Sequence, residues 1–328
     1  MDNFSKDTLL LNPEKEADRI GEAIRAIMRH QLKRRGLVIG LSGGIDSSVT
    51  AALAVRAIGK TRVFGLEMPE RHSDPDTLSL SSLVAGHYGI VTAHEDISGI
   101  LEALGFYRRY DAAVQSVIPA YGDGWKSKLV NSDILENRGF SLFSIVAMSP
   151  DGDMVKNRLP LKAYLEILAA TSFKQRTRKM LEYYHADRLH YAVAGTPNRL
   201  EYDQGFFVKQ GDGAADIKPI AHLYKTQVYQ MADYLGVPEE IRSRPPTTDT
   251  YSLSQGQDEF YFSLPYDQMD LCLYGKNNGI DPDRVAAAAG LTRAQVDAVF
   301  KDIDNKRSTT RYLHLKAQLV ADIPEAGC

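Results

Sequence analysis

Apolar positions Ala17, Ile20, Ala23, Ile24, Ile27 and Met28 recur at helical spacing among charges, which predicts an amphipathic helix from Pro13 to about Arg35. LVIGL then reads as a buried parallel strand, while the following SGGIDSS is too rich in glycine for an element interior. Residues 46–58 return to a compact apolar helical pattern that stops at Gly59. TRVFGLEM predicts a second strand, 75–87 a helix, and GIVTAHEDI a short third strand. Strands alternating with helices of this length predict an α/β fold: a doubly wound, mostly parallel sheet with helices on both faces.

The interval 106–159 loses that rhythm. It holds Gly122, Gly124, Gly139 and Gly152 around the apolar run FSLFSIVAM, and long structureless loops are uncommon in compact domains. It is therefore expected to be an inserted subdomain or an extended excursion over the surface. Helical spacing resumes over 161–184, RLHYAVAGT predicts a buried strand ending at Gly195, and 197–216 reads as a polar loop. A helix follows over 223–235; the adjacent prolines of PPTTDTYSLSQGQDE then impose a loop or flap. Helices are expected near 266–273, 281–289 and 293–302.

Composition narrows the classes. A charged fraction of 25%, a hydrophobic fraction of 44% and a net charge of −3 are those of an ordinary folded chain, not a disordered one. No window approaches the roughly 18 consecutive apolar residues of a spanning helix, and acidic residues and proline interrupt the opening, so neither a membrane nor a signal peptide is expected. Cys272 and Cys328 are too few for a disulfide framework or a thiolate zinc cluster, in keeping with a reducing cytoplasm. RHQLKRR and FKQRTRK are basic, but the weak net charge argues against a nucleic-acid partner.

The chemistry concentrates at the end of the first predicted strand. Pyrophosphate oxygens need many donors at close range, and only residues without Cβ let the backbone pass near enough. Gly43 and Gly44 provide that approach, Ser42 and Ser47 add hydroxyls, and the helix beginning near Asp46 adds open N–H groups and its positive end. The spacing is not that of a Walker loop. An acidic Asp46 inside an anion site makes sense once a magnesium ion lies between it and the phosphates.

SGGIDSS resembles the SGGxDS signature of the PP-loop ATP pyrophosphatases, which adenylate substrates and release pyrophosphate. At that level, amidation of carboxylates, thiolation of nucleic-acid bases and related adenylations all remain open. The stretch AGTPNRLEYDQGFFVKQGDGAADIKPIAHLYKTQV, together with SFKQRTRKM, resembles the ammonia-dependent NAD synthetases. That resemblance implies one adenine nucleotide alpha hydrolase-like catalytic domain over 1–328, typically homodimeric. The implied reaction adenylates the carboxylate of a nicotinic acid dinucleotide, after which ammonia, free or from a separate donor, displaces AMP.

Carried over by position, the resemblance implies that Glu201 joins Asp46 in holding magnesium and that Lys225 reaches the ATP phosphates. Arg176, Thr196 and Thr247 fall on the ATP side; Arg178, Lys209, Asp212 and Lys306 fall on the dinucleotide side; Asp216 matches an acidic position near the ammonia entry. The chain departs from the family pattern at Gln175, where Ala is usual, in PTTDTYSL where PTADL is usual, and in Asn305-Lys306 for His-Lys. Its 106–159 interval is also longer. The flap change and the long interval keep open an amide ligase for another carboxylate; a nucleotide-binding regulatory protein without turnover is the non-catalytic alternative, and Asp46, Glu201 and Lys225 together argue against it.

Overall fold

The computed structural model describes residues 4–131, 143–244, 251–253, 261–262, 264–321 and 323. Its chain opens with α1 (Pro13–Ala26), whose N-terminus is capped by the Asn12 side chain. A π-helical stretch, Ile27–Leu32, continues it until Lys33 turns left-handed at φ 53°. β1 (Leu37–Gly40), α2 (Ile45–Ile58), β2 (Val63–Glu67), α3 (Asp76–Tyr88) and β3 (Val91–His94) then follow the predicted alternation. After α4 (Ser98–Ala103) and α5 (Phe106–Gln115), the interval without rhythm forms a three-stranded antiparallel sheet of β4 (Lys126–Asn131), β5 (Phe143–Met148) and β6 (Met154–Arg158).

α6 (Leu161–Leu189) runs beyond its predicted end and stops where His190 turns left-handed, which delays β7 to Ala192–Ala194. The stretch 197–216, read as a loop, contains α7 (Arg199–Gln204). α8 (Lys225–Tyr234), α9 (Glu239–Arg242), α10 (Tyr266–Asn277), α11 (Pro282–Ala289) and α12 (Arg293–His314) complete the described elements.

The main sheet has the order β3-β2-β1-β7, and every pairing in it is parallel. Because side chains alternate across a strand, β1 feeds two cores. Leu37 and Ile39 pack with α1, α2 and α8, whereas Val38 packs with α4, α5 and α6. Ala192 and Ala194 of β7 join the first core and Val193 the second. Burial on both faces explains why LVIG is continuously apolar rather than alternating. A third core under α10, α11 and α12 includes Leu200 of α7.

The sheet reverses its winding between β1 and β7. Loops leaving the C-terminal ends of these two strands diverge, and such a switch point leaves a crevice suited to ligands.

Candidate active site

A cavity of 1590 Å³ opens at that crevice, lined by residues following β1, β2 and β7. Its floor is the turn between β1 and α2. Gly43 adopts φ +70°, and a Cβ there would lie 2.6 Å from Leu80 Cβ, so both backbone and space demand glycine. Ser47 Oγ and Ser48 Oγ donate to Gly44 O at 2.9 and 2.8 Å, while Ser42 Oγ accepts from Gly44 N at 3.3 Å. No side chain caps α2 at Gly44. Its first turn therefore presents backbone donors and the positive helix end to the cavity.

Asp46, on that first turn, meets residues from the other side of the switch point. Its Oδ1 accepts from Asn198 Nδ2 at 3.2 Å, and its Oδ2 pairs with Lys225 Nζ. Asn198 is fully buried and closes a capping box at the start of α7: its Oδ1 accepts from Leu200 N and Glu201 N, and its own N–H donates to Glu201 Oε2 at 3.0 Å. Glu201 is thereby fixed beside Asp46. Burial and the Asp46 carboxylate push its pKa up, against the pull of Lys225.

Lys225 is 1% exposed. Burial opposes its charge, but the carboxylates of Asp46 and Glu201 together outweigh burial and leave its pKa above the ordinary lysine value. Asp270 of α10 anchors the same helix start, accepting from Lys225 N at 3.2 Å and Thr226 N at 2.7 Å.

Of the other sequence candidates, Arg176, Arg178, Thr196, Lys209, Asp212 and Lys306 all line the cavity. Arg176 Nε donates to Lys209 O at 3.2 Å, and Lys209 Nζ donates to Tyr312 O at 2.8 Å. Arg178 Nε holds Met68 O at 3.1 Å, tying α6 to the end of β2. Asp212 Oδ1 accepts from Val208 N at 2.7 Å, and burial raises its pKa. Lys306 is 2.6 Å from Asp302 Oδ2, and burial lowers its pKa despite that partner. Asp216 is not among the lining residues; it is exposed, accepting from Val193 N at 2.8 Å and Tyr183 OH at 3.3 Å. Thr247 lies outside the described residues.

Sequence reasoning passed over Asn198, although Asn198 and Glu201 carry the N-x-x-E spacing of a capping box. It also passed over Lys179 and Glu182, which pair at 2.6 Å in the cavity wall; a Cβ on Gly40 would lie 3.2 Å from Glu182 Oε1. Gln175 packs where a Cβ on Gly211 would come within 2.8 Å of its own Cβ, so the departure from Ala sits against the GDG segment.

His72 lines the same cavity beside the buried Lys174–Glu70 pair. Burial, then Lys174, lower its pKa from 6.5 to about 4. Between those values the unfolded chain takes up a proton that the folded chain refuses, so stability present above pH 6.5 is lost as the pH falls towards 4. Urea unfolding should show this group contributing up to about 3 kcal/mol of acid destabilisation, at about 1.4 kcal/mol per pKa unit. A His72→Gln variant should flatten the slope over that window, and an unchanged slope would remove His72 from the account.

Residues 17–117 and 136–311 match the NAD synthase family model. The chain belongs to the NAD synthase family. It is 60% identical over 322 residues to the NH3-dependent NAD+ synthetase of Rhizobium meliloti, covering 98% of this chain and 96% of that one. Among solved structures, the NMN synthetase of Francisella tularensis matches with a TM-score of 0.65 at 20% identity, over 94% of this chain and 99% of that chain. The NH3-dependent NAD synthetase of Campylobacter jejuni, in complex with nitrate, gives 0.62 at 19% identity, over 95% and 100%. These two likenesses concern the family fold alone.

Proposed function

We propose that the chain amidates the carboxylate of a nicotinic acid dinucleotide with ammonia, consuming ATP through an acyl-adenylate and yielding NAD, AMP and pyrophosphate. One observation carries this reading: the phosphate turn, Asp46, Glu201 and Lys225 meet in one cavity of a chain that belongs to the NAD synthase family. A substrate carboxylate oxygen attacks the α-phosphorus of ATP, and the bond to pyrophosphate breaks. Charge growing on the leaving pyrophosphate meets the Lys225 ammonium and the start of α2. Ammonia then adds to the acyl carbon, the bond to AMP breaks, and a proton leaves the nitrogen.

Asp46 and Glu201 suit a magnesium ion, which takes one or two carboxylates and completes its shell with phosphate and water oxygens. Burial first and the neighbouring Asp46 second raise the pKa of Glu201, and a bound cation would offset both. When bound, magnesium supplies positive charge to the phosphates.

Arg176, Thr196 and Thr247 serve ATP in this reading, Arg178, Lys209, Asp212 and Lys306 serve the dinucleotide, and Asp216 stands by the route of ammonia. The bond from Arg176 to Lys209 supports adjacent nucleotide sites. Residues 1–328 form one catalytic unit carrying 106–159 as an insertion. Exposed Leu161, Leu165, Met180 and Tyr184 along α6 support a homodimer. Among the described residues no helix is long and apolar enough to cross a membrane, and cytoplasmic residence with free or partner-delivered ammonia belongs to the same reading.

Purified protein given ATP, magnesium, ammonia and the acid dinucleotide should release AMP in step with amide. The acid mononucleotide provides a second arm. Ammonia-dependent AMP release with another carboxylate, and no dinucleotide amide, would overturn the substrate while leaving an amide ligase.

A further inference from the structure

The antiparallel sheet of β4, β5 and β6 supplies part of the cavity wall that the proposed adenylation chemistry does not use. Asn131 of β4 and Phe143 of β5 lie directly opposite in the antiparallel register, so their side chains share a face. Phe143 stacks on Tyr164 of α6, with ring centroids 4.3 Å apart and planes at 18°. All three residues line the cavity. Asn131 Oδ1 is buried and has no hydrogen-bond partner among the described residues. A buried acceptor left unmade is costly, and its combination with a flat aromatic pair is the chemistry that holds a nucleobase bearing an amine donor.

We propose that Asn131, Phe143 and Tyr164 form a nucleobase subsite for the adenine of the acid dinucleotide, a specificity element built by β4, β5 and α6. This rests on the amidation reading given above. Adenine offers an exocyclic amine to Asn131 Oδ1 and a π-face to the Phe143–Tyr164 pair; the nicotinate ring, whose substituent is a carboxylate, has no such donor. The cavity's 1590 Å³ exceeds the roughly 300–1,000 Å³ of a single-ligand pocket, leaving room for two nucleotides. Its phosphate end is built by β1, α2 and α8, whereas this wall comes from α6 and the antiparallel sheet. An enzyme taking only a mononucleotide has no use for a second base site.

The test is equilibrium titration of ATP and of the acid dinucleotide, each alone, into the full chain and its Asn131→Leu and Phe143→Ala variants. Dinucleotide affinity should fall on the order of tenfold in either variant, with ATP affinity unchanged. Asn131→Leu should unfold in urea no earlier than the parent, because it deletes an unpaired buried acceptor, and this keeps the result readable if Phe143→Ala folds poorly. The parent should prefer the adenine dinucleotide to its hypoxanthine analogue, which lacks the amine, and Asn131→Leu should lose that preference. Unchanged dinucleotide affinity, or a loss confined to ATP, would overturn the assignment. Binding is read without turnover, so a failure of the amidation reading appears separately, as absent amide.

Discussion

Replacing Lys225 with Met should slow adenylate formation roughly 10²–10³-fold, the scale of losing one preorganised electrostatic donor to a developing charge. The effect is large because Lys225 is 1% exposed, so water has little room to replace the lost ammonium. Its neighbours Asp46 and Glu201 hold the group charged despite burial. The same substitution leaves Asp46 without its cation, and breaking such a pair costs stability as well as rate. A Lys225→Met/Asp46→Asn double variant separates the two losses: the unfolding midpoint should recover while adenylation stays slow. Pyrophosphate release is the readout. A folded Lys225→Met protein releasing it at the parent rate would end this role for the lysine.

The second large effect concerns stability. Lys174 Nζ lies 2.6 Å from Glu70 Oε1, with side chains 1% and 0% exposed, and Tyr107 OH donates to Glu70 Oε2 at 3.0 Å. Burial raises the pKa of Glu70, but Lys174 outweighs burial and the net shift is downward, so the carboxylate stays charged near neutral pH. Lys174→Met would leave that charge buried with its cation gone, which costs about 3–5 kcal/mol. Replacing both members with Lys174→Met/Glu70→Gln should recover most of the loss, since Gln keeps an acceptor for Tyr107. Urea unfolding of the single and double variants decides it: equal losses in both would mean that packing around Phe106, not the buried charge, sets the cost. The backbone of Glu70 closes a short turn with Ser73 of the cavity wall, accepting from Ser73 N at 2.9 Å and donating to Ser73 Oγ at 3.1 Å.

Much of this architecture is written locally. The apolar run Leu37–Gly40, the glycine pair after it and the helical spacing of 46–58 specify strand, turn and helix start without reference to distant residues. Gly43 shows why: its left-handed φ and its contact with Leu80 admit no side chain, so the motif survives as a readable string. The N-x-x-E of Asn198 and Glu201 is equally local, although reading 197–216 as a polar loop hid it. The interval 106–159 was harder. Its strands pair antiparallel with one another, and their burial pattern, as in the exposed–buried–intermediate run of β4, follows what packs on each face, which spacing along the chain does not record.

Sequence alone therefore determined the parallel frame, the phosphate turn and the residue types placed around it, because backbone sterics, strand alternation and helical periodicity act over a few neighbours. Only the tertiary structure decided which of those residues meet. Asp46 touches Asn198 across 152 positions and Lys225 across 179, because β7 pairs with β1 in the register Leu37↔Ala192 and α8 packs on α2, its start anchored to α10 by Asp270. It also separated Asp216 from the cavity, buried Lys225 and Lys306, and set Asn131 opposite Phe143. Such contacts depend on strand order and on which faces are covered, and both follow from minimising exposed apolar surface over the whole chain, a sum no local pattern contains.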